Sequence, residues 1–157
     1  MHLVANEAAL ARNLQRFRVM IGYEFQTGAV NILASDGGWA WPIAVRNVFE
    51  PCGVNLLVAG KTSEFVNVLG QQRIHTAIVD MESQACDGLA TIRAIRKGYP
   101  LLPCILLSSG QAGNMLGRAL ELDVFSVIRK PVEMDILKGQ LDRLFVKKYG
   151  SRIFSCK

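Results

Sequence analysis

The sequence predicts an α/β fold built on one doubly wound parallel sheet, and three observations predict it. Short apolar runs rich in Ile, Val and Leu recur between residues 30 and 128, each ending in a polar loop, as strands covered on both faces do. Helical patterns of apolar residues separate these runs. Five strands alternate with five helices in strict order, which requires right-handed crossovers and helices on both faces of the sheet.

Each element has its own signals. Val30 to Ser35 (VNILAS) is the first strand and ends at Asp36-Gly37-Gly38. A helix from about Trp39 to Glu50 follows, with Pro42 in its first turn and Pro51 and Gly53 as its stops. Val54 to Ala59 is the second strand, and Ser63 to Leu69 the second helix, with Ser63 as its cap. Ile74 to Val79 is the third strand and delivers Asp80 into a loop. Asp87-Gly88 then precedes a helix over Leu89 to Arg96, closed by Gly98 and Pro100. Pro103 to Leu107 is the fourth strand, ending at Ser108-Ser109-Gly110; Asn114 to Leu122 is a weaker helix with Gly117 inside it. Phe125 to Ile128 is the fifth strand, ending at Arg129-Lys130-Pro131. Val132 to Phe145 is the last helix, with Met134, Leu137, Leu141 and Leu144 on one face.

A chain of 157 residues, half of them hydrophobic, is expected to form one core. Residues 1–29 read as a helical extension: Asn6 can cap a helix, and Leu10, Leu14, Phe17 and Ile21 form one stripe. That stripe covers its own domain, a second copy or a partner; a start at Met20 is another reading. Residues 30–146 form the main unit and 147–157 a basic tail. Arg143, Lys147, Lys148, Arg152 and Lys157 carry much of the formal charge of +5, with no acid after Asp142. A solvated tail explains them; so does a patch for nucleic acid or an acidic partner, of which nucleic acid is the less expected. No apolar run approaches the roughly 18 residues of a membrane span, and no secretory signal opens the chain, so a cytoplasmic place is expected. Cys52, Cys86, Cys104 and Cys156 show no C-x-x-C spacing and read as reduced core thiols rather than disulfides or zinc ligands. His75 reads as a surface residue at a strand edge.

Chemistry gathers where the strands end. In a parallel sheet the carboxyl ends share one edge, and open α/β sheets place ligands in the crevice beyond it. Asp36, Asp80, Ser108 and Lys130 all follow strands. Paired carboxylates attract a hard cation such as Mg²⁺, which also takes phosphate oxygens. An Asp carboxylate is a competent nucleophile toward phosphorus. A lysine and a hydroxyl can hold the transferred oxygens by charge-assisted hydrogen bonds. Taken singly, each residue has a plainer role as helix cap, turn residue or surface lysine.

Over residues 30–146 this arrangement resembles the receiver domain of two-component response regulators. Asp36 lies 17 residues before Gly53, the spacing of the acidic strand exit and the glycine after the first helix. Asp80 is followed at seven and eight residues by Asp87-Gly88, as in the family's D-x-x-x-x-x-x-D-G loop. Pro103 through Ser109 is similar to its P-V-I-x-L-[ST]-A segment, and Lys130-Pro131 to its Lys-Pro pair, whose peptide bond is typically cis. The resemblance implies a flavodoxin-like sheet in the order 2-1-3-4-5. It implies Asp80 as phosphoacceptor, Ser108 as switch hydroxyl and Lys130 as phosphate-binding lysine. Mg²⁺ would be held by Asp36, Asp80 and the main-chain carbonyl of Glu82.

The sequence also departs from the family. Gly37 stands where a second acid is usual, Val127 where a switch aromatic is usual, and Gln84 where a proline is usual in the loop after Asp80. The Glu82 side chain is a candidate replacement for the missing acid. Reading Ser35-Asp36 as the acidic pair would restore the register of the second acid but breaks the 17-residue spacing. Phe125, two residues before Val127, is expected on the same strand face.

The first functional expectation is a stand-alone receiver that takes a phosphoryl group from a histidine kinase or phosphotransfer protein onto Asp80. It would signal to a downstream protein, with homodimerisation as a further option. Its enzymatic activity would be at most self-phosphorylation from a phosphodonor and autodephosphorylation. The second is a pseudo-receiver, an interaction or dimerisation module without phosphorylation, favoured by Gly37 and Val127. A nucleotide- or flavin-binding module is a third, opposed by the lack of a Gly-rich phosphate loop after the first strand.

Overall fold

The computed structural model describes residues 30–36, 43–82, 87–110, 117 and 120–154. Its strands are β1 Val30–Ser35, β2 Val54–Ala59, β3 Thr76–Asp80, β4 Cys104–Ser108 and β5 Ser126–Arg129. They pair in parallel in the order β2-β1-β3-β4-β5, as the resemblance implied. The helices are α1 Ile43–Phe49, continued by a 3-10 turn Glu50–Cys52, then α2 Thr62–Gln71, α3 Gly88–Gly98 and α4 Met134–Tyr149. The N-terminal helix expected over 1–29, Gly37, the Trp39–Pro42 helix start, Gln84, Cys86 and Cys156 lie outside the described residues. Of the helix expected over 114–122, residues 117, 120 and 121 are helical, Leu122 is in the turn that follows, and the rest lie outside the described residues.

Strand alternation sorts the core into two layers. Ile32, Ala34, Leu56, Ile78, Ile105, Leu107 and Ile128 face α1 and α4 through Val45, Phe49, Leu137, Leu141, Leu144 and Phe145. Leu33, Ala77, Val79 and Leu106 face α2 and α3 through Phe65, Leu69, Leu89, Ile92 and Ile95. The fully buried Phe49, Phe65 and Phe145 each contribute about 1.5–3 kcal/mol by leaving water. The central strands β3 and β4 are buried along their whole length. What reaches the edge of the sheet from them is therefore placed by a rigid support.

Several expected details are corrected. Ser63 does not cap α2: the helix starts one residue earlier, and Glu64 closes its first turn by accepting from the Gly60 N–H at 3.0 Å. Asp80 is the last residue of β3, not a loop residue. The last helix starts at Met134 and runs past Phe145 to Tyr149, with Lys147 and Lys148 in its final turn, where cations suit the helix dipole. Phe125 precedes β5, so alternation does not reach it; it packs with the α1/α4 layer, whereas Val127 packs with the α2/α3 layer. His75 is half-buried, with Nδ1 accepting from the Asn31 N–H. Cys104 is a buried thiol, as expected, and burial pushes it up to about 11. Cys52 is disulfide-bonded, against the expectation of reduced thiols, with its partner outside the described residues.

Candidate functional site

Asp80 ends the central strand with 3% of its surface exposed. Its backbone is fixed from both neighbours. The Asp80 N–H donates to Ser35 Oγ at 2.9 Å, and the next amide, Met81 N–H, donates to Leu107 O at 2.9 Å. Asp87 caps α3 by accepting from the Leu89 N–H at 3.0 Å. Gly88 follows because of space: a Cβ there would lie 2.7 Å from both Asp80 O and Met81 Cα. The Asp-Gly pair thus brings the start of α3 against the backbone that carries Asp80.

The Asp80 carboxylate is held on one oxygen. Oδ1 accepts from Lys130 Nζ at 2.8 Å and from the Glu82 N–H at 2.9 Å. The second oxygen has no donor among the described residues. Lys130 follows β5, anchored by its N–H to Ser108 O at 2.8 Å, and the Lys130-Pro131 peptide is cis, as the resemblance implied. Its ammonium bridges two carboxylates, the other being Glu82 Oε2 at 2.8 Å. Partial burial disfavours the charged ammonium, but hydrogen bonds and attraction from Asp80 and Glu82 outweigh it and raise the Lys130 pKa.

Glu82 receives more donors than the sequence led one to expect. Oε1 accepts from Ser109 N–H and Ser109 Oγ at 2.9 Å each, and from Ser108 Oγ at 3.2 Å. Burial pushes its carboxyl pKa up, but the Lys130 ammonium and the Ser109 donors pull harder and leave it at about 2. Ser108 Oγ in turn accepts from the Gly110 N–H at 3.1 Å. Gly110 takes a φ of +79°, which favours glycine, and a side chain there would also press on Arg129.

The structure therefore brings Asp80, Ser108, Lys130 and the Glu82 side chain into one bonded cluster. Asp36 stands apart. It follows the end of β1, and the β1–β3 register closes before it, at the Ala34–Ile78 pair. It is exposed, and its N–H donates to Ala59 O at 2.9 Å. No group of three His, Cys, Asp or Glu side chains is placed to hold a metal ion among the described residues. In particular, the Glu82 carboxylate is turned to Lys130 and the two serines. What remains for a hard cation is the Asp36 carboxylate, the uncommitted Asp80 oxygen and nearby main-chain carbonyls. These are the right donor type in a small number.

Sequence reasoning missed Ser35, Ser109 and Gly110 as parts of the site. Ser109 and Gly110 were visible only as a strand-end loop, and Ser35 as one more polar strand terminus. Among the described residues, no helix is long and apolar enough to cross a membrane.

Known proteins share this chain's pattern. The family description "response regulator receiver domain" matches residues 41–142. An NtrX-like response regulator of Rickettsia bellii (strain RML369-C) is 28% identical over 105 residues, which are 63% of this chain and 22% of that protein. The chain thus spans about a fifth of the length of the curated relatives it matches. Among solved structures, the signal receiver domain of a modulated diguanylate cyclase from Desulfovibrio desulfuricans G20 is 26% identical. It has a TM-score of 0.64 and covers 76% of this chain and 96% of that one. The receiver domain of an HD domain-containing protein from Pseudomonas fluorescens Pf-5 is 18% identical, with a TM-score of 0.69, covering 78% and 99%.

Proposed function

Because the chain belongs to the response regulator receiver domain family, we propose that Asp80 accepts a phosphoryl group from a partner histidine kinase or phosphotransfer protein. The observation that carries this reading is the buried Asp80 carboxylate at the end of β3, one oxygen paired with Lys130 at 2.8 Å and the other without a donor among the described residues. A carboxylate in that state is a nucleophile with a free attacking oxygen. Its oxygen attacks phosphorus while the bond from phosphorus to the donor's nitrogen or oxygen breaks. The bonding pair leaves with the donor, which takes up a proton from water. Lys130 and Ser108 would receive the phosphoryl oxygens by charge-assisted hydrogen bonds. Mg²⁺ would be held by the Asp36 and Asp80 carboxylates and the main-chain carbonyl of Glu82. When bound it supplies positive charge that offsets repulsion between Asp80 and the incoming anion.

Phosphorylation would then change the packing around Ser108 and the end of β4, and signal to a protein partner through a neighbouring helical face. Phosphorylation by a kinase that uses ATP fits a cytoplasmic setting. This reading concerns the receiver unit and not the longer architectures of its relatives.

One observation favours the pseudo-receiver as a second reading: Lys130 and Ser108 already have an anion, Glu82, without any phosphoryl group. Intact mass after incubation with Mg²⁺ and acetyl phosphate separates the two. One labile phosphoryl adduct on the wild type, absent from Asp80→Ala and without Mg²⁺, is the expected result. A folded wild type that gains no adduct would leave the pseudo-receiver as the better reading.

A further inference from the structure

The groups that would recognise a phosphoryl group on Asp80 are already in use. Lys130 Nζ donates to Glu82 Oε2, while Ser108 Oγ, Ser109 N–H and Ser109 Oγ all converge on Glu82 Oε1. We propose that the Glu82 carboxylate is an internal anion that occupies the phosphoryl-recognition groups of the unphosphorylated protein and must be displaced when Asp80 is phosphorylated. The proposal rests on the reading of Asp80 as phosphoacceptor.

Donor counting supports it. Each serine hydroxyl has one proton, the Ser109 amide has one, and the lysine ammonium has three. The hydroxyls and the amide are spent on Glu82, and two of the ammonium's three directions go to Asp80 and Glu82. A phosphoryl group would arrive with about one and a half to two negative charges and three acceptor oxygens. With Glu82 in place it would meet, among the described residues, one ammonium proton not already bonded and a neighbouring carboxylate of like charge. With Glu82 gone, it would meet all four donors.

The geometry also permits the exchange. Glu82 is two residues beyond Asp80, and its side chain is 32% exposed. Its backbone N–H is separately bonded to Asp80 Oδ1, so the side chain can leave while the main chain stays. Until then, Ser108, Ser109 and Lys130 are held together around an anion. Such a site resists weak phosphodonors but needs little rearrangement of β4 once phosphorylated.

The test compares wild type, Glu82→Gln and Glu82→Ala. Two readouts are taken: the rate of adduct formation by intact mass with Mg²⁺ and acetyl phosphate, and the amide NMR positions of Ser109 and Gly110 without donor. Removing the internal anion is expected to speed phosphorylation about tenfold, within the usual range of intramolecular coupling. Glu82→Gln, which keeps the shape and loses the charge, should fall between. The Ser109 and Gly110 amides should shift in Glu82→Ala before any phosphodonor is added. Rates equal to or slower than wild type, or unmoved amides, overturn the proposal. If the wild type is phosphorylated and Glu82→Ala is no faster, only this inference falls. If no variant is phosphorylated, the reading of Asp80 falls and takes this inference with it.

Discussion

The two ends of β3 are both polar, and they are built in opposite ways. At the N-terminal end the partners are joined by neutral hydrogen bonds. Asn31 Nδ2 donates to Arg73 O at 2.9 Å, Asn55 Nδ2 donates to Asn31 Oδ1 at 3.1 Å, and the Asn31 N–H donates to His75 Nδ1 at 3.1 Å. Tyr149 Oη donates to His75 O at 2.6 Å, and Thr76 Oγ1 to Pro103 O at 2.8 Å. At the C-terminal end Asp80, Glu82 and Lys130 carry full charges. Two carboxylates share one ammonium there, and one Asp80 oxygen has no donor among the described residues. Neutral hydrogen bonds of this kind fix structure, because they give buried polar groups their partners. A charged cluster with an uncommitted nucleophile is poised for exchange. The same strand is anchored at one end and reactive at the other.

The largest expected effect breaks the reactive end. Lys130→Ala should lower the rate of Asp80 phosphorylation about a hundredfold, the usual cost of losing one charged donor at a reacting oxyanion. It should also leave the buried Asp80 carboxylate without its counter-charge. Urea denaturation of Lys130→Ala, Asp80→Asn and the double variant measures that coupling, and a value near zero would contradict a functional ion pair. At the anchored end, Asn31→Ala should destabilise the fold by about 1–3 kcal/mol, since it strands polar partners of a residue only 2% exposed. Phosphorylation of the protein that remains folded should be unchanged. A matching loss of phosphorylation rate would mean that the two ends are not separate.

The contrast also explains what could be read in the sequence. The strands were legible because Ile, Val and Leu fill both faces of β1, β3 and β4, so each polar residue that ends a run marks the sheet edge. Asp80, Ser108 and Lys130 were found that way, and β3, β4 and β5 do bring them together. Glu82 was not legible as their partner. A side chain two residues into a loop has no periodicity, and its direction depends on where Lys130 and Ser109 arrive from other strands. His75 was misjudged for a related reason. Its burial comes from Tyr149, 74 residues away, on a helix that runs one turn further than the apolar stripe suggested. Ser63 failed as a cap because Glu64 supplies the first-turn bond to Gly60 instead.

A smaller effect sharpens the reactive end itself. Lys130 is already bonded to Asp80 and Glu82 there, whereas β1 contributes one exposed carboxylate, Asp36. Gly37, outside the described residues, stands where the family usually has a second acid. Gly37→Asp should therefore tighten Mg²⁺ binding roughly tenfold, because ligand charge sets affinity at such sites. Asp36→Asn should weaken it by a similar factor. Isothermal titration of each variant with MgCl₂ decides the matter. If Gly37→Asp leaves the Mg²⁺ affinity where it was, position 37 is not a ligand position in this chain.

The smallest effect separates the two ends by pH. Burial first, and the nearby Arg73 charge second, lower the His75 pKa below its ordinary value of 6.5. The unfolded chain then binds that proton before the folded one does. Its contribution to stability is complete above pH 6.5 and is lost as pH falls below it. Glu82, held at about 2 against an ordinary 4.5, also has a depressed pKa, so its contribution is present above pH 4.5 and is lost as pH falls toward 2. The anchored end should weaken first and the reactive end only in stronger acid. Urea midpoints measured from pH 8 to pH 3 should decline in two stages. His75→Gln should flatten the upper stage and Glu82→Gln the lower one. If either variant flattened the other's stage, the ends of β3 would be one coupled network, and the division between anchor and reactive edge would have to be given up.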